Sequence, residues 1–304
     1  MRVAILGPGG VGGFLAGALD RAGHEVVLIA REETAALLRE GGLRVRSVRL
    51  GDFTARPTVV STLTEPADVL LVSTKATGLE RALERVVAEP ALVVPLLNGL
   101  DHMALLRERF GAGRVAVGTI RIESDRPQTG LIVQSSPFLR VELASARPEL
   151  RPALERLAGA LEQAGVPARA SDSEAQVLWS KLVRLCALAL STSAADRALG
   201  EIRDDPRWRS ALEQAVAEAA AVAAADGASI DPADTMRELE EAHAGLGSSM
   251  QRDIAAGREP ELDAIAGAVL RAGARHGIAC PAVHWLSVRV AERAGIAAPA
   301  APAA

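Results

Sequence analysis

No tyrosine occurs among the 304 residues, and phenylalanine and tryptophan bring the aromatic content to only 2%. The core must therefore be built from Ala, Val and Leu, and aromatic platforms for stacking nucleic-acid bases are not expected. A net charge of −4 and a pI near 5.8 leave no basic footprint for DNA or for an anionic membrane. Cysteine is confined to Cys186 and Cys280, too few and too far apart for a disulfide framework or a metal-ligand cluster, and a reducing, cytoplasmic setting is the simplest expectation. The five histidines, His24, His102, His243, His276 and His284, show no ligand spacing, so no metal is expected. Long apolar runs are missing too. The N-terminal one is broken by Gly7-Pro8-Gly9-Gly10, too soon for a signal-peptide core, and even the Ala-rich segment from Ala215 to Ala225 carries Glu218 and ends at Asp226. The tail from Gly295 to Ala304 holds only Gly, Ile, Ala and Pro and is expected to be disordered.

Lysine is almost absent. Of 34 basic residues only Lys75 and Lys181 are lysine, and 32 are arginine. A guanidinium stays charged at any working pH, whereas an ammonium can shift its pKa and give up a proton. A lysine that survives such a bias can mark a position that arginine cannot fill, with chance survival as the alternative.

What is present is apolar (49%) and moderately charged (24%), a globular composition, and the length suggests two domains. In the first half, short runs at Arg2 to Leu6, Glu25 to Ala30, Asp68 to Ser73, Ala91 to Leu97 and Val115 to Ile120 read as buried parallel strands. Helix-period stretches lie between them, at Val11 to Arg21, Thr34 to Arg39, Leu79 to Val87 and His102 to Arg109. This alternation implies an α/β fold: an N-terminal Rossmann-type parallel sheet, which runs at Leu131 to Gln134 and Leu139 to Leu143 would extend or edge. From about Pro148 the pattern turns helical throughout, implying a C-terminal all-α domain. Ser171-Asp172-Ser173-Glu174 reads as a capping box opening a helix through roughly Ser193, with later helices at Pro206 to Ala225, Pro232 to Ala244, Glu261 to His276 and Pro281 to Ala294. The boundary falls between Ala146 and Ser171, giving a nucleotide-binding domain over 1–168 and a substrate and catalytic domain over 169–304.

The first strand runs directly into Gly7-Pro8-Gly9-Gly10-Val11-Gly12-Gly13 and then a helix, so Gly7, Gly9 and Gly12 match GxGxxG in a strand-turn-helix setting. Gly7 permits the tight turn, Gly9 lets backbone approach a pyrophosphate, and Gly12 lets helix pack on strand. Amides opening that helix, from Gly10 and Val11 onward, suit anionic phosphates. After the second strand comes Arg31, where an NAD-binding chain would usually place an acid for the ribose 2′-hydroxyl. Arginine suits a 2′-phosphate and hence NADP(H). Glu32 and Glu33 follow, so a short shift restores an NAD reading, and a solvated Arg31 is a further alternative. Lys75 follows the Asp68 to Ser73 strand, at the carboxyl edge where open α/β sheets bind ligands, and Asn98-Gly99 takes the equivalent place after Ala91 to Leu97, with a plain Asn-Gly turn as the alternative. Lys181 lies in Val177-Leu178-Trp179-Ser180-Lys181-Leu182-Val183-Arg184-Leu185, where a partly desolvated ammonium could donate a proton. The alternative is a lysine snorkelling to water beside Arg184.

Together these segments resemble the ketopantoate reductase (2-dehydropantoate 2-reductase) family along nearly the whole chain. The resemblance rests on the GxGxxG unit, Arg31, Val72-Ser73-Thr74-Lys75, Leu97-Asn98-Gly99, Trp179-Ser180-Lys181-Leu182, and Ser248-Ser249-Met250-Gln251-Arg252-Asp253 leading to Glu261-Leu262-Asp263. It implies that Lys181 is the general acid protonating the keto oxygen as NADPH delivers hydride to the carbonyl carbon. It further implies that Glu261 holds Lys181 or a substrate hydroxyl, that Ser249 meets the substrate carboxylate, and that Lys75 and Asn98 lie beside nicotinamide and substrate. The partner expected is a small 2-oxo acid, not nucleic acid or membrane, and a homodimer is compatible with the sequence.

One departure stands out. The family pattern usually carries asparagines four and eight residues after the catalytic lysine, and this chain has Leu185 and Ala189. That leaves two alternatives to ketopantoate reduction in pantothenate biosynthesis: a related reductase for a less polar 2-oxo acid, and a non-catalytic NADP(H) sensor on the same scaffold. Other dehydrogenases that join a Rossmann domain to a helical one, such as 3-hydroxyacid enzymes, tend to follow a helical lysine with asparagine, so Leu185 does not favour them.

Overall fold

The computed structural model describes residues 1–300. The chain divides into two compact units, one of residues 1–97 with 102–177, the other of residues 98–101 with 178 onward. The first unit opens with β1 (Arg2–Leu6), α1 (Gly10–Arg21), β2 (Glu25–Ile29), α2 (Glu32–Gly41), β3 (Leu43–Ser47), β4 (Phe53–Ala55) and β5 (Thr58–Val60). It continues through β6 (Val69–Val72), α3 (Leu79–Leu83), β7 (Leu92–Pro95), α4 (His102–Phe110), β8 (Val117–Gln128), β9 (Leu131–Ala144), α5 (Arg151–Gln163) and β10 (Ala168–Ser171).

Five short strands form a parallel sheet in the order β5-β2-β1-β6-β7. β6 and β7 are buried along their whole length, as strands covered on both faces must be. Leu6 pairs with both Ile29 and Val72, and Val72 with Pro95, so the carboxyl ends of β2, β1, β6 and β7 are level. Connections run one way from β1 to β2 and the other way to β6, which makes the β1/β6 junction the topological switch point of the sheet.

The runs at 131–134 and 139–143 do not extend this sheet. They form one strand, β9, in a second, mixed sheet ordered β10-β9-β3-β4, with β8 antiparallel to β9. Between the pair of Ile122 with Leu139 and that of Ser124 with Gln134, one residue of β8 faces four of β9. The excess around Pro137 bulges out, where a missing N–H breaks no ladder bond. The helical pattern after Pro148 is also interrupted, since β10 pairs parallel to β9.

Helix α1 lies against both sheets and is buried without a break from Gly12 to Leu19. Such closeness depends on missing side chains. A Cβ on Gly12 would sit 2.1 Å from the Gly7 carbonyl oxygen and 2.2 Å from Ser73 Oγ. On the other side, one on Gly10 would meet the Ser124 carbonyl oxygen at 2.4 Å, on Gly13 the Ile132 Cδ1 at 2.5 Å, and on Gly17 the Val45 Cγ2 at 2.7 Å.

The second unit carries α6 (Glu174–Ala195) from Leu178 on, then α7 (Leu199–Asp204), α8 (Pro206–Ala225), α9 (Pro232–Glu241), α10 (Ser249–Ala255), a π-helical turn (Asp263–Gly267), α11 (Ala268–Arg275) and α12 (Pro281–Ala294). No strand occurs among its described residues. The start of α6 differs from expectation. Ser173 caps it by accepting the Gln176 amide at 3.1 Å, while Ser171 closes β10, so the capping signal sits two residues later. Asp205 and Asp231 cap α8 and α9, each with proline in the first turn. Glu218 of α8 accepts the first amides of α12, from Ala282 at 2.8 Å and Val283 at 2.9 Å, and its partial burial pushes its carboxyl pKa up.

By length and composition α6 is long and apolar enough to cross a membrane, against the expectation that no stretch is. The reason is its role as core helix, with 72% of its apolar window buried inside the protein. The tail is ordered at its start: Gly295, at φ 65°, closes α12 and lets Ile296 donate to the Ala291 carbonyl. The rest of that expectation, over 301–304, lies outside the described residues.

Two measurements check this packing. Gly12→Ala, whose new methyl would push against the Gly7 backbone, Ser73 and Ile5, should lower unfolding stability by about 1–3 kcal/mol or more, while Gly23→Ala, with open space around it, should cost mainly its positive-φ strain, of order 1 kcal/mol. Equal denaturation midpoints for Gly12→Ala and the parent chain would contradict the close approach. Cys186 and Cys280 are both buried thiols, and desolvation pushes Cys280 up to about 11 and Cys186 higher still. Native protein at pH 8 should therefore resist thiol reagents, and guanidinium-unfolded protein should label at two thiols. Rapid labelling of native protein would contradict that burial.

Candidate active site

Three of the sequence-selected groups lie along the level carboxyl edge of the parallel sheet. At the end of β1, Gly7 turns the chain with φ +105°, and a Cβ there would be only 3.0 Å from Thr74 Cγ2. Helix α1 starts immediately, and its first internal bond runs from the Gly13 amide to the Gly9 carbonyl. Gly9, the N-cap, offers no side chain to accept the amides of Gly10, Val11 and Gly12, and nothing lies within 4 Å of where its Cβ would be. A turn of bare backbone with free-facing amides fits a pyrophosphate, so the residues present suit a dinucleotide. Gly10 has a packing reason as well, through its close approach to Ser124, whose hydroxyl donates to the Gly10 carbonyl at 2.9 Å.

Next along the edge, after β6, Ser73 donates its hydroxyl to the carbonyls of Leu6 (3.0 Å) and Gly7 (3.1 Å), pinning the glycine turn to the neighbouring strand. Lys75 follows as the exposed residue entering a 3₁₀ turn. On the far side, after β2, Arg31 is the exposed N-cap of α2. Glu32 is held by Ser61 and Arg39, which together lower its carboxyl pKa; the Arg39 contact is 2.9 Å. Sequence reading missed Arg126, whose guanidinium reaches the Pro8 carbonyl at 3.4 Å. It lies on β8, beyond the apolar part that marked that strand at Ile120, so no hydrophobic period pointed to it.

The remaining groups belong to the second unit. Asn98, three residues past the end of β7, donates from Nδ2 to Glu261 Oε2 at 2.9 Å, across 163 residues of sequence. Gly99 beside it has φ +84°, and a Cβ there would be 2.0 Å from the Ala264 carbonyl oxygen, so the loop is seated on the π-helical turn that follows Glu261. Lys181 is half-buried on α6, between Trp179, whose indole donates to Asp226 Oδ2 at 3.0 Å, and the buried pair Leu182 and Val183. Leu185, half-buried, and Ala189, fully buried, share its helix face. Ser249 is exposed at the first position of α10. Its neighbour Ser248 is the buried one, accepting from the Gln251 amide at 3.1 Å and from Thr192 Oγ1 at 3.1 Å, which ties α10 to α6. Asn98 and Glu261 are thus brought into direct contact, while Ser249 stands at a helix start outside that pair.

The chain matches the ketopantoate reductase profile in two parts, its N-terminal portion over residues 3–146 and its C-terminal portion over residues 175–294. It is 30% identical to the 2-dehydropantoate 2-reductase of Halobacterium salinarum, over 97% of this chain and all of the relative. Among solved structures, 2-dehydropantoate 2-reductase from Geobacter metallireducens superposes with a TM-score of 0.88 at 29% identity, covering 96% of this chain and 99% of that one. The ternary complex of D-mandelate dehydrogenase with NADH and anilino(oxo)acetate has the same fold, with a TM-score of 0.88 at 24% identity over 97% and 99% of the two chains. The two profile matches together span most of the chain, and with a relative 30% identical over its whole length they show that the chain belongs to the ketopantoate reductase family of oxidoreductases.

Proposed function

We propose that this chain reduces a 2-oxo acid to the 2-hydroxy acid with NADPH, most readily 2-dehydropantoate to pantoate, as a step of pantothenate biosynthesis. Residues 1–168 hold the cofactor in this reading, and residues 169–304 supply the proton donor and most of the substrate contacts. When bound, the nicotinamide supplies the hydride. Lys181 then does what arginine could not: its ammonium steadies the alkoxide that develops on the keto oxygen and gives up a proton to it. Glu261 orients that chemistry from its hydrogen bond with Asn98, Ser249 takes the substrate carboxylate, and Lys75 adds a compact cation at the sheet edge. The observation that carries the reading is the Asn98 to Glu261 contact in the same unit as the half-buried Lys181. A non-catalytic sensor would have little reason to retain a proton donor and its partner carboxylate.

NADP(H) is favoured over NAD(H) because Arg31 stands exposed at the end of β2 while Glu32, the nearest competing acid, is engaged by Ser61 and Arg39. Gly7, Gly9, Gly10, Val11 and Gly12 serve the pyrophosphate, and Arg126 adds a cation beside that turn. A second reading has its own support. Leu185 and Ala189 place apolar side chains four and eight residues after Lys181 on its helix face, which suits a 2-oxo acid with an apolar substituent, and D-mandelate dehydrogenase, with anilino(oxo)acetate bound, has the same fold.

The Lys181→Arg variant should keep its fold and its affinity for NADPH and lose kcat by about 10²- to 10⁴-fold with whichever 2-oxo acid the parent turns over. Near-parental turnover would remove Lys181 from the role of acid. Arg31→Ala should raise the KM for NADPH by about tenfold or more and leave that for NADH almost unchanged. An equal effect on both cofactors would point to a positional role for Arg31 rather than contact with a 2′-phosphate.

A further inference from the structure

The loop that presents Asn98 and the turn that follows Glu261 are joined a second time, by a side chain that no motif singled out. Arg271 of α11 donates from Nη2 to Asp101 Oδ2 at 2.6 Å and from Nη1 to Asp263 Oδ1 at 2.7 Å, and Nη2 also reaches Asp263 Oδ2 and its carbonyl oxygen at 3.1 Å. Asp101 lies three residues after Asn98, and Asp263 two after Glu261. One planar guanidinium therefore bridges the far end of the loop to the start of the π-helical turn, a geometry that its fork of donors permits and a lysine could not reproduce.

The surroundings are shaped for this bridge. A Cβ on Gly267 would fall 2.3 Å from Asp263 Oδ1 and 2.8 Å from Arg271 Nη1, so the turn carries glycine where the ion pair passes. The π-helical winding sends the Ala268 amide back to the Asp263 carbonyl, the same oxygen that Arg271 contacts. At the other end of the loop, Gly99 lies on the Ala264 carbonyl with no room for a side chain. One residue before the Gly99 anchor, the Asn98 carboxamide meets the Glu261 carboxylate.

We propose that Arg271 is a positioning residue: by clamping Asp101 to Asp263 it holds Asn98 on Glu261 in the geometry the reaction needs. This rests on the proposed roles of Asn98 and Glu261. An exposed ion pair of this kind adds little to global stability, so its purpose shows in rate rather than in melting.

The test is a double-mutant cycle on the full-length chain, using Arg271→Met, Asn98→Ala and the combination, read by kcat with NADPH and the best 2-oxo acid and by chemical denaturation. Arg271→Met alone should lower kcat by about tenfold or more, change the KM for the 2-oxo acid less than kcat, and move the Tm by no more than about 2 °C. In the Asn98→Ala background the same change should cost less than about twofold in kcat, because the group it positions is gone. Arg271→Lys should recover only part of the loss. Equal kcat losses in both backgrounds, or a loss explained by a large fall in Tm, would overturn the proposal. If the parent chain turns over no 2-oxo acid, the functional reading fails instead, and the clamp is then read by amide hydrogen exchange over residues 98–101: faster exchange in Arg271→Met than in the parent supports it, and unchanged exchange overturns it.

Discussion

The contact on which the first unit depends is the approach of α1 to two sheets at once. Gly12 faces the Gly7 turn and Ser73 of the parallel sheet, and Gly10, Gly13 and Gly17 face β8, β9 and β3 of the mixed one. A helix buried all round cannot carry branched side chains on both sides at these distances, so its sequence is a compromise between the volume needed to fill the core and the absence needed to let backbone pass. The consequence for chemistry lies at its first turn. The same tightness that pins α1 to Ser73 leaves the Gly9 side open and aims the opening amides along the sheet edge.

The second unit solves a different problem, holding polar groups at fixed positions inside a helical body poor in aromatics. Helix α6 supplies the rigid element, with every residue from Cys186 to Ala194 buried. The groups around it are fastened by short-range chemistry: the Trp179 indole to Asp226, Thr192 to Ser248, and Glu218 to the start of α12. The Asn98 loop is fastened in the same way, by glycine packing at one end and an arginine fork at the other. Lys181 is half-buried among these fixed contacts, on an element with little freedom to move.

Legibility in the sequence followed the range of the interaction. The β1 turn and α1 were readable because glycine spacing, a buried strand and a helical period all fall within 20 residues. α8 and α12 were readable at their ends because proline opens each of them. Strand β3, Leu43-Arg44-Val45-Arg46-Ser47, is not among the apolar runs because it alternates buried and exposed residues, with arginine on the outer face. β9 was split in two because Pro137 and the bulge around it break the pattern without ending the strand. The α6 cap was misplaced by two residues because two serines, Ser171 and Ser173, both sit before the helix, and only the pairing of β10 decides between them. The contact of Asn98 with Glu261 and the reach of Arg271 to Asp101 span more than 160 residues, and no local period encodes either.

In the proposed reaction, hydride passes from the reduced nicotinamide to the keto carbon of a 2-oxo acid. The decisive measurement incubates the protein with NADPH carrying deuterium at both C4 positions and 2-dehydropantoate, in parallel with an apolar 2-oxo acid, and reads the products by mass spectrometry. The expected product is a 2-hydroxy acid carrying one deuterium at C2. A 2-hydroxy acid without the label, or no 2-hydroxy acid from any 2-oxo acid supplied, would contradict it.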